Sequence, residues 1–300
     1  MRMENFRKIA VLMGGVSNER EVSLDSGDNV ARALESLGKY EVKRMVLESE
    51  ELPDLSGIDA VFLALHGGWG ENGGVQAALD AIAMPYTGPG AAASRLAMDK
   101  IATKRILDSA GVPTAEWAVV ADASEKVSPI QLPCVVKPPK DGSSVGITCV
   151  RTPEEWPAAL KLAIDVDGKE ALVEKYIPGR EMTVGILPGP KALPVIDIVT
   201  PKGWYGYEEK YLSNATQYIF PEDAFLPQLQ EIALKAYAAC GCRGVSRVDF
   251  RVDPDGRAFV LELNTLPGMT AHSLVPKACS KIGLSFAGMC ETILEAAAHD

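Results

Sequence analysis

"GVSRVDFRVDPDGRAFVLELNTLPGMT", Gly244 to Thr270, holds two extended runs around a turn. Within DPDG, Pro254 presets φ at the second turn position, Asp253 suits the first and Gly256 the fourth. A four-residue loop, Pro254 to Arg257, pairs Asp253 with Ala258. In that register Asp249 faces Glu262 and Arg247 faces Asn264. Side chains alternate along a strand, so all four point to one face. Val248, Phe250 and Val252 take the other, with Phe259, Leu261 and Leu263. A loop one residue different would split the polar set across two faces. Two directly opposed carboxylates repel and weaken a hairpin. The arrangement makes sense if a divalent cation sits between them. Carboxylates beside an amide oxygen suit a hard cation such as Mg²⁺, bound jointly with phosphates. The plainer alternative is a solvated sheet face.

The rest of the chain is long enough to serve such a site. Three hundred residues exceed a usual single domain, so two or three are expected. A hydrophobic content of 47% is ample for packed cores. The net charge of −10 argues against a nucleic-acid surface, which needs a basic patch. Nucleotides need only a few local cations. "MRMENFRKIAVLMGG" fits neither a signal peptide nor a membrane span. The six cysteines show no zinc spacing and are expected to be small buried residues in a reducing cytoplasm. Three histidines make a multi-histidine metal site implausible.

Lys8 to Gly15 reads as a buried strand ending in a glycine turn, followed by a helix closed by Gly38. "YEVKRMVLE" and "DAVFLALHGG" are further strands, and "GGVQAALDAIAM" a short helix. This β-α-β-β-α order predicts an open, mainly parallel sheet, with ligands beyond the carboxyl ends of its strands. "GGVSNERE" and "HGGWGENGG" leave strands at that end. A long helix, "AAASRLAMDKIATKRILDSAG", leads into a new unit. Thr152 to Glu155 reads as a capping box, with Pro157 awkward in the first turns. A strand-rich region follows Arg180, then a helix, the hairpin and a final helix headed by Ser273.

Several motifs admit two readings. "KDGSSVG" (Lys140 to Gly146) is either a phosphate cradle, with Ser143 and Ser144 as hydroxyl donors, or only a turn. Lys137, closing an apolar strand, either meets an anion or snorkels outward; Lys100 is a second candidate. "VEKYIPG" either holds an adenine ring or simply crosses between domains. "EEKYL" (Glu208 to Leu212) is a water-excluding lid or an exposed loop. Glu19 either holds an ammonium group or favours a helix N-terminus. A lone histidine such as His66 is more often structural. The Gly268 amide could polarise an oxyanion. Ser273 is a plain N-cap or a donor to a substrate carboxylate.

Taken in order, "GGVSNEREVSL", "ALHGGWGENGGVQ", "AMDK", "VVKPPKDGSSVG", "EKYIPGREMTV", "EEKYLS", "GVSRVDF" and "LELNTLPGMTAHSLVP" resemble the D-alanine–D-alanine ligase family of ATP-grasp enzymes over nearly the whole chain. The resemblance implies an α/β (α+β) three-domain architecture, with divisions at 1–95, 96–178 and 179–300 and ATP between the last two. By matched position it implies that Lys100, Lys137 and Lys210 contact phosphates, with Ser144 in the cradle. Glu174, Tyr176 and Ile177 would line the adenine site and Glu181 the ribose. Asp249, Glu262 and Asn264 would hold two Mg²⁺ ions, for which Mn²⁺ can substitute. Glu19 would bind the first substrate's ammonium, Ser143 and Tyr211 would tie the lid loops to it, and His66 would lie near its carboxyl group. Arg247 and the Gly268 amide would stabilise the tetrahedral species, and Ser273 and Leu274 would receive the second carboxylate. The implied reaction forms an acyl phosphate from D-alanine and ATP, then D-alanyl-D-alanine for peptidoglycan precursors, in a cytoplasmic homodimer. Other ATP-grasp carboxylate–amine ligases, a D-alanine–D-lactate ligase and a non-catalytic nucleotide-binding regulator are the competing expectations. Trp69 and Leu263 depart from the family's usual smaller residues.

Overall fold

The structure, a computed structural model, describes residues 6–140, 146–201, 215–270 and 272–300. Three sheets organise these residues. The first is parallel, in the order β2-β1-β3, from β1 (Lys8–Gly14), β2 (Glu41–Leu47) and β3 (Ala60–Leu63). Helix α1 (Arg20–Ser36) covers one face, and two short helices, α2 (Gly68–Glu71) and α3 (Gly74–Asp80), follow β3. The parallel order expected of the first third is present. Apolar runs buried on both faces are what such sheets require, and β1 and β3 are buried almost end to end.

The expected long helix after residue 90 is two helices, α4 (Ala91–Met98) and α5 (Lys100–Ser109). Asp99 leaves the helical region at φ −90°, ψ 99°, and its side chain caps α5 by accepting from the Ala102 N–H. A good N-cap residue inside a periodic run restarts the helix there.

The second sheet is antiparallel, in the order β4-β7-β5-β6, from β4 (Trp117–Val120), β5 (Cys134–Lys137), β6 (Thr148–Val150) and β7 (Ala171–Lys175). The capping box at Thr152 and Glu155 forms, around a short 3₁₀ turn. That turn resolves the awkward Pro157, which falls in the first turn of α6 (Trp156–Asp167), where no N–H is required.

The third sheet runs β11-β10-β8-β12-β13, with β9 beside β8. Its strands are β8 (Arg180–Leu187), β9 (Lys191–Ala192), β10 (Ile196–Val199), β11 (Gln217–Ile219), β12 (Ser246–Val252) and β13 (Ala258–Asn264). Helix α7 (Leu226–Ala239) packs on it, as do apolar residues of α4 and α5. The chain closes with two helices, α8 (Leu274–Lys281) and α9 (Phe286–Glu295), where one was expected. Ser285 caps the second through the Gly288 N–H. Both helices bury apolar residues with α1 and the first sheet, so the two ends of the chain share a core.

The hairpin differs from its expected form in a telling way. Val252, not Asp253, pairs with Ala258, so the loop is one residue longer. Asp253 closes it with its side chain, accepting from the Asp255 and Arg257 N–H groups. A β-bulge then intervenes: Phe250 pairs with Val260 and Asp249 with Glu262, leaving Leu261 as the extra residue. The two offsets cancel. Asp249 still faces Glu262 and Arg247 still faces Asn264. The apolar face is corrected at the tip, where Val260 enters the core with Val248, Phe250, Val252 and Leu263, while Phe259 and Leu261 stay half-buried.

Candidate active site

The polar face of β12 and β13 gathers Arg247, Asp249, Glu262 and Asn264. Arg247 grips Asp249 with two parallel bonds, Nε to Oδ1 and NH2 to Oδ2, each 2.8 Å. Thr183 on β8 donates to the same carboxylate at 2.6 Å, and the Asn264 amide nitrogen does so at 2.9 Å. Asp249 is therefore the fixed, buried wall of the site. Glu262 is more open, at 29% side-chain exposure, and Lys100 Nζ stands 3.8 Å from its Oε2. With its nitrogen on Asp249, Asn264 keeps an oxygen as its other polar end. Two carboxylates and an amide oxygen are a donor set that fits a hard cation completed by phosphate oxygens. Among the described residues, no group of three or more His, Cys, Asp or Glu gathers as a self-sufficient metal site.

Lys100 and Lys137 arrive from different elements. Asp99 starts α5 and so fixes Lys100 at its first turn. Lys137 ends buried β5. Glu174, on neighbouring β7, is 2% exposed and forms ion pairs with both Lys104 and Lys137. Burial alone would push its carboxyl up, but the two ammonium groups outweigh that and hold it below the usual carboxylate range. Burial lowers Lys104, against the pull of Glu174. Lys104 also donates to Thr114 Oγ1, which donates to the Val260 carbonyl at 2.9 Å. A buried chain of contacts thus runs from Lys137 to β13, which carries Glu262.

Tyr176 and Ile177 lie in the segment that leaves β7 for β8. Two guanidiniums lie near the Tyr176 ring, Arg151 at 5.6 Å and Arg251 at 5.7 Å from its centre, within the range of cation–π attraction. Glu181, at the start of β8, lies directly opposite Arg251 on β12.

The loops beyond β1 and β3 form a second polar cluster. Ser17 Oγ donates to the His66 carbonyl at 2.6 Å. His66 is 7% exposed; its Nε2 is 3.0 Å from Ser26 Oγ and its Nδ1 3.6 Å from Glu71. Ser26 Oγ also accepts from the Met269 N–H at 3.2 Å, which ties His66 to the turn carrying Gly268. Glu19 occupies the N-cap position of α1, yet its side chain makes no capping bond. Its carboxylate lies against Gly67, which has φ +65° and where a Cβ would sit 2.7 Å from Glu19 Oε2. Only glycine suits that backbone and that approach. Trp69 settles into α2 and packs on the core beneath the first sheet.

Ser273 is at the N-cap of α8, but its hydroxyl does not cap the helix. It accepts from the Thr270 N–H at 2.9 Å and lies 3.0 Å from Thr270 Oγ1. Leu274, next to it, is buried. Ser143, Ser144, Lys210 and Tyr211 lie outside the described residues.

Sequence reasoning missed Ser26, Lys104, Thr183 and Arg251. A signal existed for two of them. Lys104 is one helical turn from Lys100, on the same face. Arg251 shares strand parity with Arg247 and Asp249. Thr183 reaches Asp249 only through sheet pairing, which no local pattern reveals.

The family model described as "D-ala D-ala ligase C-terminus" matches residues 106–295. D-alanine–D-alanine ligase from Bordetella pertussis is 46% identical over 310 aligned positions, covering 98% of this chain and 96% of the relative. The enzyme of that name from Albidiferax ferrireducens is 45% identical, covering 98% and 88%. Among solved structures, D-alanine–D-alanine ligase from Bacillus anthracis complexed with ATP superposes with a TM-score of 0.84 at 34% identity, over 97% of each chain. With this carboxylate face, these lysines and these relatives, the chain belongs to the D-alanine–D-alanine ligase family.

Proposed function

We propose that the protein joins two D-alanines at the expense of ATP, releasing ADP and phosphate, to make D-alanyl-D-alanine for peptidoglycan precursors. The observation that carries this reading is the single polar face on which Arg247, Asp249, Glu262 and Asn264 stand together with Lys100 at its edge. A carboxylate oxygen of the first D-alanine attacks the γ-phosphorus. The bond to the bridging oxygen breaks and ADP leaves. The amine of the second D-alanine then attacks the activated carbonyl, a C–N bond forms, and the C–O bond to phosphate breaks with loss of a proton.

Each residue has a task in that sequence. Lys100, Lys137 and Lys210 spread the phosphate charge, and Ser144 adds a donor in the cradle. Asp249, Glu262 and Asn264 would hold Mg²⁺, with Mn²⁺ as a substitute, which when bound neutralises charge on the phosphates. Glu174, Tyr176 and Ile177 line the adenine site and Glu181 meets the ribose. Glu174 contributes through Lys137, which its carboxylate holds in place. Glu19 takes the first ammonium, with His66 near that substrate's carboxyl group; Ser143 and Tyr211 would tie the lid loops to Glu19. Arg247 and the Gly268 amide face the oxyanion, and Ser273 and Leu274 receive the second carboxylate. No nucleophilic side chain is required.

The strands of each sheet fall within one of the units 1–95, 96–178 and 179–300, and the nucleotide would lie between the last two. The protein would act in the cytoplasm as a homodimer. Among the described residues no helix is long and apolar enough to cross a membrane. ADP release measured with and without D-alanine, with product identification over D- and L-amino acids and D-lactate, tests the assignment. ADP release indifferent to D-alanine, with no dipeptide, overturns it.

A further inference from the structure

Arg251 has no task in the scheme above, yet its surroundings point to one. It is 8% exposed on β12. Alternation puts it on the face of Arg247 and Asp249, roughly 6–7 Å beyond Asp249 along the strand. A guanidinium is rarely buried without partners, because it keeps its charge and five donors. Arg251 spends its donors on one short stretch of chain. Nε donates to the Ile177 carbonyl at 3.1 Å, and NH2 to the Gly179 carbonyl at 2.9 Å. NH1 is 3.5 Å from Glu181 Oε2, and the guanidinium lies 5.7 Å from the centre of the Tyr176 ring. The stretch is pressed onto β12 at the same place. Gly179 has φ +125°, and a Cβ there would lie 2.1 Å from the Val252 carbonyl.

We propose that Arg251 is a positioning residue for the nucleotide, one that fixes the 176–179 linker and aims Glu181 at the ribose, and so sets the preference for a ribonucleotide over its 2′-deoxy form. The inference rests on the nucleotide-site reading of this segment. The row Arg247, Asp249, Arg251 then runs from the reacting carbonyl, through the phosphates, to the nucleoside. Arg251 takes one acceptor position on each of the Ile177 and Gly179 carbonyls and so fixes the direction of the linker backbone beside the adenine. Glu181, held from one side by NH1, accepts from a ribose hydroxyl in a fixed direction, and a carboxylate so held discriminates better than one free to turn.

Nucleotide binding by calorimetry without D-alanine, for ATP and 2′-deoxy-ATP, tests this independently of ligation. Steady-state ADP formation at saturating D-alanine accompanies it. In Arg251→Met the affinity for ATP should fall about tenfold or more, the loss expected for bonds to a charged group. The KM for D-alanine should not change, and the ATP to deoxy-ATP ratio should collapse toward unity. Arg251→Lys should restore part of the ratio, since one ammonium can replace one bond but not the fork. Should Arg251→Met fold poorly, Glu181→Gln carries the test: it should lose the same discrimination with the Arg251 bonds to the linker intact. Unchanged ATP affinity and an unchanged ratio in Arg251→Met, or a wild-type protein that binds both nucleotides equally, overturns the proposal. Tight, discriminating nucleotide binding without dipeptide formation would instead count against the ligase assignment alone.

Discussion

Asp249 stands directly opposite Glu262 across the β12–β13 hairpin, in a loop and strand that each depart from regularity by one residue. Like charges placed so closely weaken a hairpin unless a cation is shared. Asp249 is shared with Arg247, yet the two carboxylates still face each other, and Glu262 is the more exposed of the pair. Glu262→Gln and Asp249→Asn should keep the fold and lose most turnover. Without metal, Glu262→Gln should be at least as stable as the parent. Turnover and thermal unfolding, with and without Mg²⁺, check this; near-normal turnover in both variants at saturating Mg²⁺ would remove the site from these residues.

That hairpin also shows how much was legible beforehand. The facing pairs followed from alternation and a turn motif, yet they form only because two offsets cancel. The turn was longer than DPDG alone implies because Asp253 closes it with its side chain. The bulge at Leu261 restored the register, and nothing local marks it. The parallel first sheet was readable because β1 and β3 are uniformly apolar. The break at Asp99 was not, since its capping bond competes with an otherwise continuous helical pattern. Glu174 shows the same limit at the site. Its strand was clear, but the two lysines it joins come from α5 and β5, and only tertiary structure brings them together.

Glu174 links stability to pH. Its folded carboxyl is held below the unfolded value by Lys104 and Lys137, although burial opposes them. The stabilisation is therefore complete above the unfolded carboxylate range, near pH 4.5, and is lost as pH falls toward the folded value. Glu174→Gln leaves Lys104 buried without its counter-ion, at a cost of roughly 3–5 kcal/mol. Adding Lys104→Met to that variant should recover part of the loss, because the uncompensated charge is gone. Urea unfolding from pH 7 down to pH 3 checks both points. A single variant as stable as the parent at pH 7 would mean that the pair is not coupled as its geometry implies.

Tyr211 lies outside the described residues, and its prediction rests on charge alone. A cation at the lid would repel an incoming ammonium. Tyr211→His should lower dipeptide formation as pH falls through the ordinary histidine range, and D-lactate should gain ground as acceptor. Rates with both acceptors between pH 5.5 and 8 decide the matter. An amine-acceptor profile unchanged in shape would defeat the electrostatic argument.

Glu19 separates binding from simple helix capping. It sits at the N-cap of α1, but its side chain bonds no helix N–H and turns toward Gly67 instead. If it served the helix dipole alone, Glu19→Gln would cost about 0.3–1 kcal/mol of stability and little activity. If it pairs with the first ammonium in a closed site, losing the carboxylate costs roughly 3–5 kcal/mol, on the scale of breaking a buried pair. That is on the order of a few hundredfold in apparent affinity. The expected outcome is a steep rise in the first-site Michaelis constant with ATP affinity unmoved. Gly67→Ala should reproduce part of it, because its Cβ would meet the same carboxylate oxygen at 2.7 Å. The alanine would also strain a backbone at φ +65°, so its stability must be measured alongside. A stability loss in Glu19→Gln with unchanged first-site kinetics would return Glu19 to a purely helical role, and the ammonium would need another partner.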